Sequence, residues 1–334
     1  MAGEKLNHRQ RVDRCISGDT TDRIPVALWR HFPVDDQTPE GLASATVFFQ
    51  QTYDFDLVKI TPPSSFCLKD WGVQDRWIGN FEGTREYIAH PIQQPEDWEN
   101  LQVLNCKNGS LGAQLRCLEI LVPLLIHSAP LLQTIFSPLA QAKNLVGAER
   151  LIVHLRAYPD AVHAGLRTIT ETTIAFLKAV LATGVDGIFY AVQQARLDAL
   201  SEREFVEFGR FYDLQVLNEA QPFAYKMLHL HGEHVMAQQV KDYPVNIINW
   251  HDRHTHPSLK EALTIFPAAL CGGLRRWETM VLGSPEDIYQ EANDALDQTN
   301  GRRLILGTGC VLPIITSHGN IQAVRQFADN RVSG

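Results

Sequence analysis

Eight short runs of apolar, β-branched and aromatic residues recur along the chain, each separated from the next by a segment of helical period. That alternation is the pattern of strand–helix–strand units and a parallel sheet. The runs are 24–29 (IPVALW), 56–60 (DLVKI), 131–136 (LLQTIF), 187–192 (GIFYAV), 224–229 (AYKMLH), 245–249 (VNIIN), 268–272 (AALCG) and 303–307 (RLILG). Between them, Ser137-Pro138 supplies an N-cap and first-turn proline for one helix, and Ser284-Pro285-Glu286-Asp287 opens another that Gly301 can close. Eight such units in 334 residues predict an α/β fold of the (β/α)8 barrel type, with the whole chain, 1–334, as a single domain. A doubly wound sheet is the structural alternative, but no GxGxxG or Walker A pattern follows any run.

Two additions to an ideal barrel are expected. Residues 8–18 read as a helix ahead of the first strand, and the stretch 71–121 holds a hairpin around NFEGTREY, with Gly83 at the turn, inserted after the second strand where it can shape a lid. Thirty Lys and Arg against 38 Asp and Glu leave a net charge of −8, which offers no basic field for nucleic acid or anionic lipid. The N-terminal MAGEKLNHRQRVDRC lacks an apolar leader core, and the six cysteines are scattered without a CxxC pair. The expectation is a cytoplasmic protein with reduced thiols, no membrane span and a small-molecule substrate, as a monomer or homodimer.

Active sites of such barrels form where the strands end at their C-terminal side, so the polar residues after each run are the candidates. Residues two apart on a strand share a face. His229 and His231 therefore aim together into the barrel mouth, and Cys310, after the eighth run, can meet them there. Two imidazoles and a thiolate suit a tetrahedral zinc site with its fourth position open, while the alternative is a pair of hydrogen-bonded barrel histidines and a small buried thiol. Around the mouth, Trp29, Arg30, His31, Thr61, Gln193, Asn249, Trp250 and Arg275 are candidate substrate-binding residues. The guanidiniums would clamp an anion, and Trp29 and Trp250 would offer flat walls to a ring. His251 and Asp252 are candidates for proton transfer.

The chain resembles the uroporphyrinogen decarboxylase superfamily of (β/α)8 barrels. The likeness is carried by GDTTDRIPV (18–26), SPLAQAKNL (137–145), GVDGIFYAVQQA (184–195), LHLHG (228–232), INWHD (248–252), ILGTGCVLP (305–313) and GNIQAV (319–324), in that order. Authentic uroporphyrinogen decarboxylases carry an Arg-rich segment after the first strand, a catalytic Asp after the second and a His after the eighth. Here those places read WRHFPVDD, KITPPSSF and Thr308. The zinc-dependent methyltransferases of the superfamily carry H-x-C on the fifth strand and a Cys after the eighth, matched by His229 and Cys310, with His231 in place of the first Cys.

The resemblance thus implies zinc held by His229, His231 and Cys310, and methyl transfer to a thiol from a corrinoid donor, which a separate corrinoid protein can carry. Trp29, Trp250 and Arg275 would then form the donor pocket. An alternative is a metal-free decarboxylase of uroporphyrinogen or another carboxylated ring, with Arg30, His31 and Arg275 as anion clamps. A second alternative is tetrapyrrole or corrinoid binding without turnover.

Overall fold

The structure, a computed structural model, describes residues 5–330; residues 1–4, the start of the segment read above for a leader, and 331–334 lie outside the described residues. Ten strands follow in chain order: β1 (Val26–Ala27), β2 (Val58–Ile60), β3 (Gln74–Arg76), β4 (Glu86–Ala89), β5 (Leu131–Phe136), β6 (Gly187–Val192), β7 (Tyr225–Leu230), β8 (Ile247–Trp250), β9 (Ala269–Leu274) and β10 (Leu304–Thr308). Eight of them form one parallel sheet in the order β1-β10-β9-β8-β7-β6-β5-β2, surrounded by helices: an α/β barrel of the (β/α)8 type. Their apolar runs are buried along their whole length in β5, β6, β9 and β10, as strands covered on both sides must be.

No ladder joins β1 to β2. At that seam the Asp56 backbone N–H donates to Val26 O at 2.8 Å, and the Asp56 carboxylate accepts from Val26 N at 2.8 Å. Arg11 and Arg23 each donate to Asp56 at 2.6 Å and His8 lies 2.7 Å from it, so one fully buried carboxylate ties the N-terminal helix (His8–Ser17) to the barrel floor. Burial alone would raise its pKa. The His8 hydrogen bond and the charges of Arg23 and Arg11 hold it instead at about 2.

The helix read at 8–18 runs His8–Ser17, with Gly18 as its left-handed cap at φ 81°. Ser137 and Ser284 cap their helices through their side chains, each with proline at the first turn. At the C-terminal end of the helix Pro285–Thr299, Asn300 takes the left-handed cap at φ 51°, and Gly301 follows it by donating to Leu296 O at 2.9 Å. The expected hairpin is the antiparallel pair β3 and β4, with Gly83 at φ 73° between them.

Strand limits shift. The first ladder is confined to Val26–Ala27, because Pro25 has no N–H to give and Val26 N–H turns to Asp56. At the other end β7, β8, β9 and β10 run one or two residues beyond the apolar runs, carrying His229, Asn249, Gly273 and Thr308 inside the sheet.

A candidate metal centre in the barrel mouth

β7 presents His229, 4 % exposed, and the ladder continues as His231 N donates to Val192 O at 3.1 Å. Both rings reach Cys310 from the far side of the barrel. Its Sγ lies 3.6 Å from His229 Nε2 and 3.7 Å from His231 Nδ1. His251, just past β8, completes the cluster, and the ligand atoms of His229, His231, His251 and Cys310 all lie within 4.8 Å of one another. Gly309 makes this approach feasible. A Cβ there would meet His251 Cα and Trp250 O at 2.6 Å, so the loop after β10 passes against β8 only as glycine.

The amide of Asn249 sets the chemistry of His229. Its Nδ2 donates to Cys271 O at 2.8 Å and Thr308 O at 3.0 Å, which fixes Oδ1 as the acceptor facing His229 Nδ1 at 2.6 Å. Nδ1 therefore carries the proton and Nε2 turns its lone pair towards Cys310. Burial lowers the His229 pKa, against the opposing charge and hydrogen bond of Cys310. For Cys310, burial alone would raise the thiol; the three imidazoles around it override that and hold it well below the ordinary thiol range.

The cluster lies in the wall of a cavity of about 320 Å³, at the lower end of the range for sites that enclose drug-sized molecules. Trp29, His31 and Gln193 line it as well. Among the described residues eight buried side-chain polar atoms lack a hydrogen-bond partner, and five of these are Trp29 Nε1, His31 Nδ1, Arg85 Nε, Gln193 Oε1 and His251 Nε2. More than half of the orphaned polar atoms thus belong to the cavity wall and the cluster, which marks this as the place a ligand completes. Burial, with the nearby charges of Lys59 and Arg85, lowers the His31 pKa to about 3, so it is a neutral wall residue.

Other candidates lie elsewhere. Asn249 stands behind His229 rather than in the cavity wall. Trp250 is the next residue along β8 and turns outward, its indole donating to Pro257 O at 2.8 Å beside Phe266. Arg30 donates to Ile314 O and lies over Phe32 and Phe49, outside the cavity wall. Arg275 is taken up by Glu291 through both its side chain and its backbone N–H. Thr61 is buried and accepts from Lys59. Asp252 accepts from the Gly273 N–H and faces Arg253; burial raises its pKa to about 7, and it braces the loop after β8 against β9.

Sequence reasoning missed Lys59, Glu82, Arg85, Lys143 and Phe189, all of which line the cavity. Glu82 and Arg85 come from the hairpin, which is clamped over one side of the mouth. Glu82 accepts from Arg276 at 2.7 Å and from Trp277 Nε1 at 3.0 Å, and Arg85 pairs with Asp36 at 2.6 Å.

Residues 7–331 match the family model described as Uroporphyrinogen decarboxylase (URO-D). The chain belongs to the uroporphyrinogen decarboxylase (URO-D) family. Among solved structures, this family member is similar to a methyltransferase from Methanosarcina mazei, with a TM-score of 0.85 and 18% identity over 97% of this chain and 99% of that one. A B12-independent methionine synthase from Shewanella sp. W3-18-1, solved with selenomethionine, aligns with a TM-score of 0.60 and 13% identity over 93% of this chain and 96% of the other. At these identities the likeness is one of fold. No curated protein is significantly similar in sequence. Among the described residues, no helix is long and apolar enough to cross a membrane.

Proposed function

We propose that this URO-D family member is a zinc-dependent methyltransferase that moves a methyl group from a methylated corrinoid, carried by a separate protein, to a small thiol. The observation that carries the reading is the convergence of Cys310, His229, His231 and His251 at the edge of the cavity, where the barrel fold places active sites. The donor set fits the metal. A thiolate with imidazoles is borderline-soft and suits zinc, and His251 Nε2 is buried with no partner of its own. The fold shared with a methyltransferase agrees with this reading.

His229, His231 and Cys310 would hold the ion, which when bound supplies the Lewis acidity that keeps an acceptor thiol as its anion. With an imidazole at position 231 in place of a thiolate, the site carries one negative charge fewer, which favours an anionic acceptor. Asn249 holds His229 in the tautomer that presents Nε2. His251 Nε2 takes the proton released when the acceptor S–H ionises. The acceptor sulfur then bonds the methyl carbon, and the electron pair of the broken methyl–corrinoid bond stays with the corrinoid. Trp29 and Phe189, in edge-to-face contact at 5.4 Å, wall the cavity against water.

Purified protein should contain about one zinc per chain and consume methylcobalamin in the presence of a small thiol, with the rate abolished by a strong chelator. Chelator-insensitive release of CO₂ from uroporphyrinogen would overturn the reading in favour of the decarboxylase, and silence in both assays would favour ligand binding without turnover.

A further inference from the structure

We propose that the substrate of this cavity carries a carboxylate, and that Lys59 is the residue that holds it. Lys59 stands in the middle of β2, 7 % exposed, in a run whose other members are apolar or deeply buried. Its ammonium has Thr61 Oγ1 at 3.2 Å and the Phe189 ring at 4.6 Å as neighbours, and no ion-pair partner among the described residues. A buried cation is normally paired, because desolvating an ammonium costs far more than one hydroxyl returns.

The other charges of the cavity do not supply that partner. Glu82 is taken by Arg276 and Trp277, and the Arg85 charge is paired with Asp36 at 2.6 Å and Asp75 at 3.7 Å. Lys143, half-buried on the helix Pro138–Val146, likewise has no carboxylate partner among the described residues. With internal pairs set aside, and with the Cys310 thiolate taken by the metal-ligand cluster, the cavity holds two cations without a carboxylate partner. An acid from outside completes it. Trp29 points the same way. Its orphaned Nε1–H is a second donor, and its ring packs edge-to-face with Phe189, over whose ring the Lys59 ammonium also lies.

Placement sets the size of the ligand. Phe189 touches Lys59 on one hand and stacks on His229 at 5.2 Å on the other, so a short molecule reaches from the ammonium to the metal-ligand cluster. Burial lowers the Lys59 pKa to about 7, with the Cys310 charge opposing it, and a bound carboxylate would return the full charge to the amine. The proposal rests on the methyl-transfer reading only for the far end of the substrate, where a thiol would meet the cluster.

Calorimetry on the purified full-length protein tests it with matched pairs: mercaptoacetate, mercaptopropionate and mercaptobutyrate against the corresponding mercapto-alcohols. The thiol is common to both members, so any metal contribution cancels. At least one acid should bind about tenfold tighter than its alcohol, and Lys59→Met should bring that ratio to within about twofold. Equal affinities throughout the series, no detectable binding of any acid, or a preference that survives in Lys59→Met would overturn the proposal. The wild-type comparison stands alone if the variant fails to fold. Charge discrimination with no methylcobalamin turnover would uphold the carboxylate site while removing the methyl-transfer reading.

Discussion

One amide decides which nitrogen of His229 can meet a metal, and one lysine decides what else the cavity can accept. Asn249→Leu would leave His229 Nδ1–H without its acceptor and free the ring to take the other tautomer. Zinc affinity should fall by about 10–100-fold, read by competition with a chromophoric chelator, and unchanged affinity would remove Asn249 from the metal's support. Cys310→Ser should lower thiol methylation by about two orders of magnitude and leave less than one zinc per chain by elemental analysis. Lys59 has a sign that can be worked out. Its pKa is about 7 in the folded chain against 10.5 unfolded, so its burden on stability is complete below pH 7 and fades as pH rises through 10.5. Lys59→Met should therefore raise Tm by roughly 2–5 °C at pH 6, with the gain shrinking by pH 10. At this scale the sequence was legible where strand periodicity applies. His229 and His231 share a face, and the same rule applied to β8 corrects the expectation that Trp250 flanks the mouth: Asn249 points in and Trp250 out, in register with Leu230. Lys59 was hidden inside a run read for its apolar letters.

Elements were legible by type and less so by extent. The apolar runs end at His229, Asn249 and Gly272, where polar or glycine residues mark strand ends in an ordinary barrel, yet the strands continue past all three. Here they are polar because the sheet itself carries the site. The hairpin of β3 and β4 was foreseen from Gly83, but its grip was not, since Arg276, Trp277 and Asp36 come from distant stretches of chain. A Cβ on Gly83 would stand 2.6 Å from His31 Cβ, so the hairpin presses directly on the cavity wall. Glu82→Ala should release that grip. Hydrogen exchange over residues 74–89 should accelerate and ligand affinity fall several-fold; unchanged exchange there would remove Glu82 from the grip.

For the molecule as a whole, the sequence told of eight strands but not of how the ring shuts. Asp56 was counted as the first letter of an apolar run; its partners Arg11, Arg23 and His8 lie on the preceding segment. Asp56→Ala should destabilise the protein by about 3 kcal/mol in urea unfolding, because Arg23 would lose its close buried partner and keep only Asp329 at 3.4 Å, while Arg11 would retain Asp22. Burial lowers the His8 pKa, but hydrogen bonds to Asp54 and Asp56 override that and raise it from 6.5 to about 9. Its contribution is present in full below pH 6.5 and lost as pH rises through 9, while that of Asp56 is present above pH 3.8 and lost as pH falls through about 2. The His8 share of stability should decline by about 1–2 kcal/mol between pH 6.5 and 9.5, read as the difference between the wild type and His8→Ala, in which the Lys59 contribution cancels. The seam at Asp56 also makes the barrel a ring with a clasp. Seven of its eight joints are backbone ladders, which salt and acid barely touch, whereas the eighth is a latch of charges. Strong acid should spring that latch before the ladders yield, so that Val26 exchanges its amide proton early and β1 parts from β2 at the two ends of an otherwise intact arc.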